Sequence, residues 1–267
     1  MPRVPHWLAA IGLPLLICCG TTAQAAEEAI ATDRPDFVES SDVVGKGHVQ
    51  IETSLAWERD KTGSLTTRTR STPSLLRLGL GEDWELRFET DGSLNQRTSD
   101  LGVTTRERGW SDLSVGIKWH TAEGDEATHK PGTAWLFHVD VDSGSSAFRG
   151  QGLRPSLRFV AEWELPDGFS LGVMPGIYLD KNEQGKHFTG GILAATLGKT
   201  LTEKLHGFVE LAGQQIASSR NGGSLLTFDT GLAYLLSNDM QIDTALSRGL
   251  NKTSPDFSWT VGFSARF

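Results

Sequence analysis

Outside the first two dozen residues, histidines and carboxylates are the side chains of this sequence best suited to catalysis or metal binding. His6, His48, His120, His129, His138, His187 and His206 are spread along the chain. No H-x-x-x-H or H-E-x-x-H spacing occurs among them, so no linear motif presents two to one metal ion. His138, Asp140 and Asp142 alternate along the chain, which places all three on one face of a strand. Such a row can bind a cation or relay a proton, or it can stand in a solvated wall of charges paired with neighbours such as Arg158. A nucleophilic serine needs a histidine and a carboxylate in register, and no serine here sits in a recognisable elbow. The two cysteines, Cys18 and Cys19, fall in an apolar run near the start. The expectation is therefore no catalytic residue, no metal site and no cofactor.

What the sequence does contain is charge at strict intervals. Trp84, Leu86 and Phe88 alternate with Glu85, Arg87 and Glu89. Trp135, Phe137, Val139 and Val141 alternate with His138 and Asp140, and Leu157, Phe159, Ala161 and Trp163 with Arg158 and Glu162. A helix would mix these charges among the apolar residues, whereas a strand sends them to opposite faces. Similar segments recur to the last residues, Trp259 to Phe267, and count to about twelve strands, with ten or fourteen as the alternatives. The fold expected is all-β, a transmembrane antiparallel up-and-down barrel whose outer face meets lipid and whose inner face is polar. Glu52, Arg77, Glu85, Arg87, Glu89, Lys118, His138, Asp140, Arg158, Glu162, Glu210, Asp229, Asp243 and Arg266 are then the lumen-lining candidates.

The two ends agree with this reading. Arg3, the apolar run Trp7 to Cys19 and Ala23-Gln24-Ala25 have the form of a secretory signal with its cleavage site, which makes residues 1–25 a signal peptide. The expected division is then a periplasmic segment at 26–45 and an outer-membrane barrel at 46–267. The polar segment, with Asp33, Arg34 and Asp36, is available as a plug held by lumen charges, or else is a flexible leader. At the other end Phe267 closes an alternating strand, resembling the C-terminal signal of bacterial outer-membrane proteins that the barrel-assembly machinery reads. Connections alternate between short turns, such as Ser237-Asn238-Asp239, and longer links richer in charge, Gly or Ser. The longer set includes 60–65, 97–108 and 143–152, and is expected to face outward. With 25 Lys and Arg against 33 Asp and Glu, the net charge of −8 argues against nucleic acid as a partner. Outer-membrane lipids are the expected surroundings.

Two short stretches carry a family resemblance: Thr32-Asp33-Arg34-Pro35-Asp36-Phe37 followed by Gly45-Lys46-Gly47-His48-Val49-Gln50, and Gly249-Leu250-Asn251 followed by Pro255-Asp256-Phe257. In this order they resemble the bacterial outer-membrane family of MetA-pathway phenol-degradation proteins, often called transporters. The resemblance implies a barrel that admits small aromatic or hydrophobic molecules, and it supplies no catalytic residues. Uptake or passage of small molecules is the leading expectation. A lipid-modifying hydrolase of the outer membrane and a structural barrel without flux are the rivals.

Overall fold

The computed structural model describes residues 29–267, so the expected signal peptide and the first residues of the segment after it lie outside the described residues. Fifteen antiparallel elements follow in order: β1 (Val49–Thr62), β2 (Leu65–Ser71), β3 (Ser74–Gly79), β4 (Trp84–Thr90), β5 (Ser93–Asp100), β6 (Val103–Trp110), β7 (Leu113–Ala122), β8 (Gly132–Val141), β9 (Arg154–Leu165), β10 (Phe169–Lys181), β11 (His187–Thr202), β12 (Leu205–Ile216), β13 (Leu225–Ser237), β14 (Met240–Gly249) and β15 (Phe257–Arg266). β2 and β3 are two pieces of one strand, parted at Thr72-Pro73 where proline cannot donate to a ladder. β4 and β5 part at Asp91-Gly92, and β6 and β7 at Ser111-Asp112. Counted this way the barrel has twelve strands, and β15 closes it on β1 from Gln50↔Arg266 to Arg59↔Phe257. Phe267 completes the seam, exchanging backbone hydrogen bonds with Val49 at 2.8 and 3.0 Å.

The faces are those of a barrel in lipid. Leu55, Leu193, Leu211 and Phe263 point outward, each more than two-fifths exposed, while Glu52, Arg77, Glu85 and Lys118 point inward with no exposure at all. An apolar exterior of this extent has no place in water, and alternate residues facing lipid and lumen account for it. Aromatic side chains mark its edges. Trp84, Trp119, Trp135 and Phe159 are direct neighbours across four strands near the lower end, where Phe267 lies. Trp57 stacks on Trp259 near the upper end with ring centroids 5.0 Å apart.

Two connections differ from expectation. Residues 97–108, expected as an outer link, are strand: β5 and β6 form a hairpin whose tip, Leu101-Gly102, takes φ of 44° and 87°. With the upper half of β1 and with β2 they make a four-stranded leaf that rises beyond the barrel wall. The leaf lacks an apolar face, so hydrophobic alternation does not reveal it. The link at 60–65 shrinks likewise, because β1 runs on to Thr62 and pairs it with Leu65. At the lower end, residues 123–131 are longer than a simple turn and carry a single 3₁₀ turn, Glu126–Thr128, capped by Asp125.

Leu86 faces outward on β4 between Leu78 and Ile117. Leu86→Arg is expected to cost about 2–4 kcal/mol if the site lies near the bilayer midplane. Urea unfolding of the protein in lipid, read by heat-modifiable migration on gels, measures it.

Candidate functional site

The lumen is occupied. Residues 29–46 enter from the lower end, loop up into the lumen and return to the lower end where β1 begins, bent at 33, 35–38 and 41 and without a strand partner, so their backbone groups must be satisfied largely by the wall. Four wall carboxylates accept from five backbone N–H groups of the segment. Glu52 takes Asp33 N–H at 3.0 Å, the two oxygens of Glu210 take Phe37 and Val38 N–H at 2.9 and 2.8 Å, Glu85 takes Val44 N–H at 3.0 Å, and Glu162 takes Ser41 N–H. Asp243 instead pairs with the Arg34 guanidinium at 3.1 Å. Wall cations and amides meet the carbonyls: Arg77 donates to Ala31 and Asp42, Lys118 to Ser40, and Gln50 to Ala31, all at 2.8–2.9 Å.

Asp33 is the centre of this contact. Its carboxylate lies 2.5 Å from Arg87, 2.9 Å from Lys118 and 3.5 Å from Arg77, and also accepts Ser40 N–H. Glu39 adds a second anion, bridging Arg87 at 2.6 Å and Arg158. Arg77 and Arg87 are in turn bound to Glu85 at 2.9 and 2.7 Å, and Arg77 to Glu52 at 3.1 Å. Asp33, Glu39, Glu52 and Glu85 thus balance Arg77, Arg87, Lys118 and Arg158, in a cluster largely sealed from solvent.

The remaining inward residues take other roles. His138 is buried and accepts from Arg87 Nε at 3.2 Å through Nε2. Asp229 bonds Thr227 and does not reach the segment. Arg266 pairs with Asp239 at 2.8 Å at the lower mouth. Glu89 and Asp140 line an upper cavity of about 420 Å³ that contains Arg154 and Arg158. Asp36, unlike Asp33 and Arg34, forms no ion pair among the described residues, and its neighbours are Glu162, Glu210 and the Thr196 hydroxyl. No group of three metal-ligating side chains comes together among the described residues.

Sequence reasoning missed two parts of this site. Glu39 was not among the plug candidates, although it does as much as Asp33 to bind Arg87. An apolar seat was also missed: Val38 packs, with Phe37 beside it, on Leu136, Val160, Met174, Ala194 and Ala212 inside the barrel. Leu136, Val160, Met174 and Ala194 each stand between apolar neighbours in sequence, as Leu136 does between Trp135 and Phe137, and that doubling was the available signal. Two glycines let the segment come close. A side chain at Gly172 would fall 2.9 Å from Val38, and one at Gly262 would fall 2.7 Å from the Arg34 guanidinium.

Cavities lie on both sides of the segment. An upper one of about 180 Å³ is lined by Phe37, Glu39, Arg87 and Arg158, and joins the larger upper cavity at Glu89 and Asp91. A lower one of about 260 Å³ is lined by Thr32, Lys199, His206 and Gln241. Arg34 and Asp36 line both the 180 and the 260 Å³ cavity, so they form the partition between them.

The family model described as "Putative MetA-pathway of phenol degradation" matches residues 32–267, from the plug to the closing strand. The chain belongs to this family. Among solved structures, its fold is similar to an outer membrane channel from Pseudomonas putida F1, at TM-score 0.61 and 11% identity over 85% of this chain and 98% of that one. It is also similar to the beta domain of the Bordetella autotransporter Brka, at 0.54 and 12% over 83% and 100%, and to the KdgM porin, at 0.50 and 14% over 82% and 99%. No curated protein matches it in sequence. The fold is that of an outer-membrane barrel with a channel-like, porin-like architecture.

In this family member the charges that dock the segment respond to pH in opposite directions. Burial pushes the Asp33 carboxyl up, but Arg77, Lys118 and Arg87 together outweigh it and hold the group well below the usual carboxylate range. For Asp36, burial dominates, with Glu162 and Asp33 adding repulsion, and the group is pushed up to about 7. Asp33 therefore stabilises docking above its free value of 3.8 and loses that contribution as pH falls. Asp36 keeps its proton when docked and loses it when free, so its effect weakens docking as pH rises from about 4 to about 7 and levels off above.

Asp33→Asn leaves Arg87 and Lys118 short of an anion, and is expected to weaken docking by about 3–5 kcal/mol, the usual cost of breaking a buried pair. Loss of hydrogen-exchange protection at the Val38 and Val44 amides checks this at fixed pH. Current through planar bilayers is expected to increase between about pH 4.5 and about pH 7, and Asp36→Asn to flatten that rise.

Proposed function

We propose that this protein passes small molecules across the outer membrane through its lumen, and that residues 29–46 set the aperture by docking and undocking. The observation that carries the reading is the partition at Arg34 and Asp36, which line both the cavity above the segment and the cavity below it. A segment held by side chains rather than by a strand ladder can leave without breaking the barrel. Water can replace each contact it gives up.

Undocking changes the path in two ways that bear on what passes. With Asp33 and Glu39 gone, Arg158 loses its ion pair and Lys118 keeps only Glu85 at 3.9 Å, while Arg77 and Arg87 retain Glu85 and Arg77 retains Glu52, so the wall beside Arg158 and Lys118 becomes less compensated and more cationic. Departure of Val38 bares an apolar strip at Leu136, Val160, Met174, Ala194 and Ala212. A cationic patch beside an apolar strip suits a small aromatic ring bearing an ionisable hydroxyl or carboxyl group, the kind of molecule the family description brings to mind. The opposing wall, with Glu210, Asp229 and Asp243, disfavours inorganic anions as the main cargo.

Deleting residues 29–44 is expected to leave a folded, heat-modifiable barrel and to raise its conductance in planar bilayers several-fold. Liposome uptake of benzoate is expected to rise more than that of a neutral sugar of similar size. A correctly folded truncation with unchanged, near-zero flux would overturn the reading in favour of a structural barrel.

A further inference from the structure

The leaf above the barrel carries a feature that the lumen does not use. Arg59 on β1 stands directly opposite Arg68 on β2, Arg68 opposite Arg97 on β5, and Arg97 opposite Arg106 on β6. Four arginines therefore form one row across four adjacent strands, ~4.8 Å from strand to strand. One pair closer to the barrel, the row reads Trp57, Arg70, Asn95 and Arg108. All six arginines are exposed, and none has an ion pair among the described residues. Like charges placed directly opposite each other destabilise a sheet, so this arrangement lacks a counter-charge.

The acids nearby do not supply it. Glu58, Asp60 and Glu107 lie one residue out of step and point to the opposite face of the leaf, above the lumen. The leaf is thus basic on the side that continues the lipid-facing wall and acidic on the other. Its basic side has the parity of Leu55 and Trp57 on β1, and Trp110 lies just below Arg108 on β6. The height also fits a headgroup layer. From Trp84, in the lower aromatic row, to Asn95 is about eleven residues, or ~36 Å of strand and ~28 Å along the normal at a ~40° tilt, against an apolar band ~25 Å tall. A groove of about 270 Å³ lies among Arg68, Arg70, Asn95, Arg97, Arg106 and Arg108.

The geometry points to a binding site for a phosphorylated glycolipid of the outer leaflet, lipopolysaccharide, whose sugar phosphates seat between the two arginine rows while its acyl chains lie on Leu55, Trp57 and Trp110. Guanidinium groups chelate phosphate oxygens in pairs, and arginine suits this better than lysine. A soluble polyanion would gain nothing from rows set flush with an apolar wall. The assignment takes the upper end as the outer side, as its longer connections imply, and does not depend on what passes through the lumen.

The test uses full-length protein in detergent micelles, titrated with bisphosphorylated lipid A and with the same lipid dephosphorylated, and read by native mass spectrometry. Wild-type protein is expected to bind the phosphorylated form about tenfold or more tightly than the other. Arg68→Gln/Arg97→Gln/Arg106→Gln is expected to remove that preference, and Glu107→Gln, on the opposite face, to leave it intact. If the triple variant is not heat-modifiable, Arg97→Gln alone serves, and the wild-type comparison requires no mutation. Equal binding of both lipids, an unchanged preference in the arginine variants, or tighter binding of a heparin oligosaccharide than of lipid A would each overturn the proposal.

Discussion

A segment inside a barrel has no ladder of its own, and the whole lumen is organised around that fact. Each buried N–H and C=O of the segment must find a partner in the wall, because an unpaired one costs about as much as a lost hydrogen bond. This is why the inner face carries long side chains with several hydrogen-bonding atoms at their ends. Glu210 takes two successive amides with its two oxygens, and Arg77 reaches two carbonyls and three carboxylates at once. Charges buried in this way repay little more than their desolvation, so the cluster is a poor means of stabilising the barrel itself. It suits a segment that, on the proposed function, docks and undocks, since each of its groups is readily hydrated.

Packing refines what charge positions. Val38 seats on Met174 and Ala194, and Gly172 leaves the room its methyl groups need. Gly262 does the same for Arg34, so that the guanidinium lies against the wall and meets Asp243. The segment is therefore fixed at three kinds of contact: ion pairs at Asp33 and Glu39, backbone hydrogen bonds at Phe37, Val38 and Val44, and an apolar seat at Val38. Asp36 stands apart, because it is the acid placed among acids and so the one whose ionisation opposes docking.

Much of the barrel was legible because its two faces meet opposite solvents. A period of two with lipid on one side and charge on the other needs no partner to be recognised, and Trp84 to Glu89 displays it in six residues. The leaf was not legible, for neither of its faces is apolar and its alternation is arginine against threonine and glutamate. The apolar seat was hidden for the converse reason. Leu136 and Val160 are apolar on the inward face of strands that are also apolar outward, so period-two reading finds no contrast there. Glu39 lacked any local signal, since its importance comes from Arg87 and Arg158, distant in sequence and joined to it only by closure of the sheet.

The same parity rule that sorts lipid from lumen also sorts charge by whether the protein supplies its partner. Inside the barrel Arg77, Arg87, Lys118 and Arg158 each have a carboxylate within ion-pair distance, and Asp33 and Glu39 on the docked segment bring the cluster to balance. On the outward side of the leaf Arg59, Arg68, Arg97 and Arg106 stand in a row whose protein neighbours are other arginines. Both sets use guanidinium groups on adjacent strands, and both would repel if left alone. The lumen resolves the repulsion with a segment of its own chain. Among the described residues the leaf has no such segment over it, and on the binding site inferred above its counter-charge comes from the phosphates of the lipid layer in which it stands.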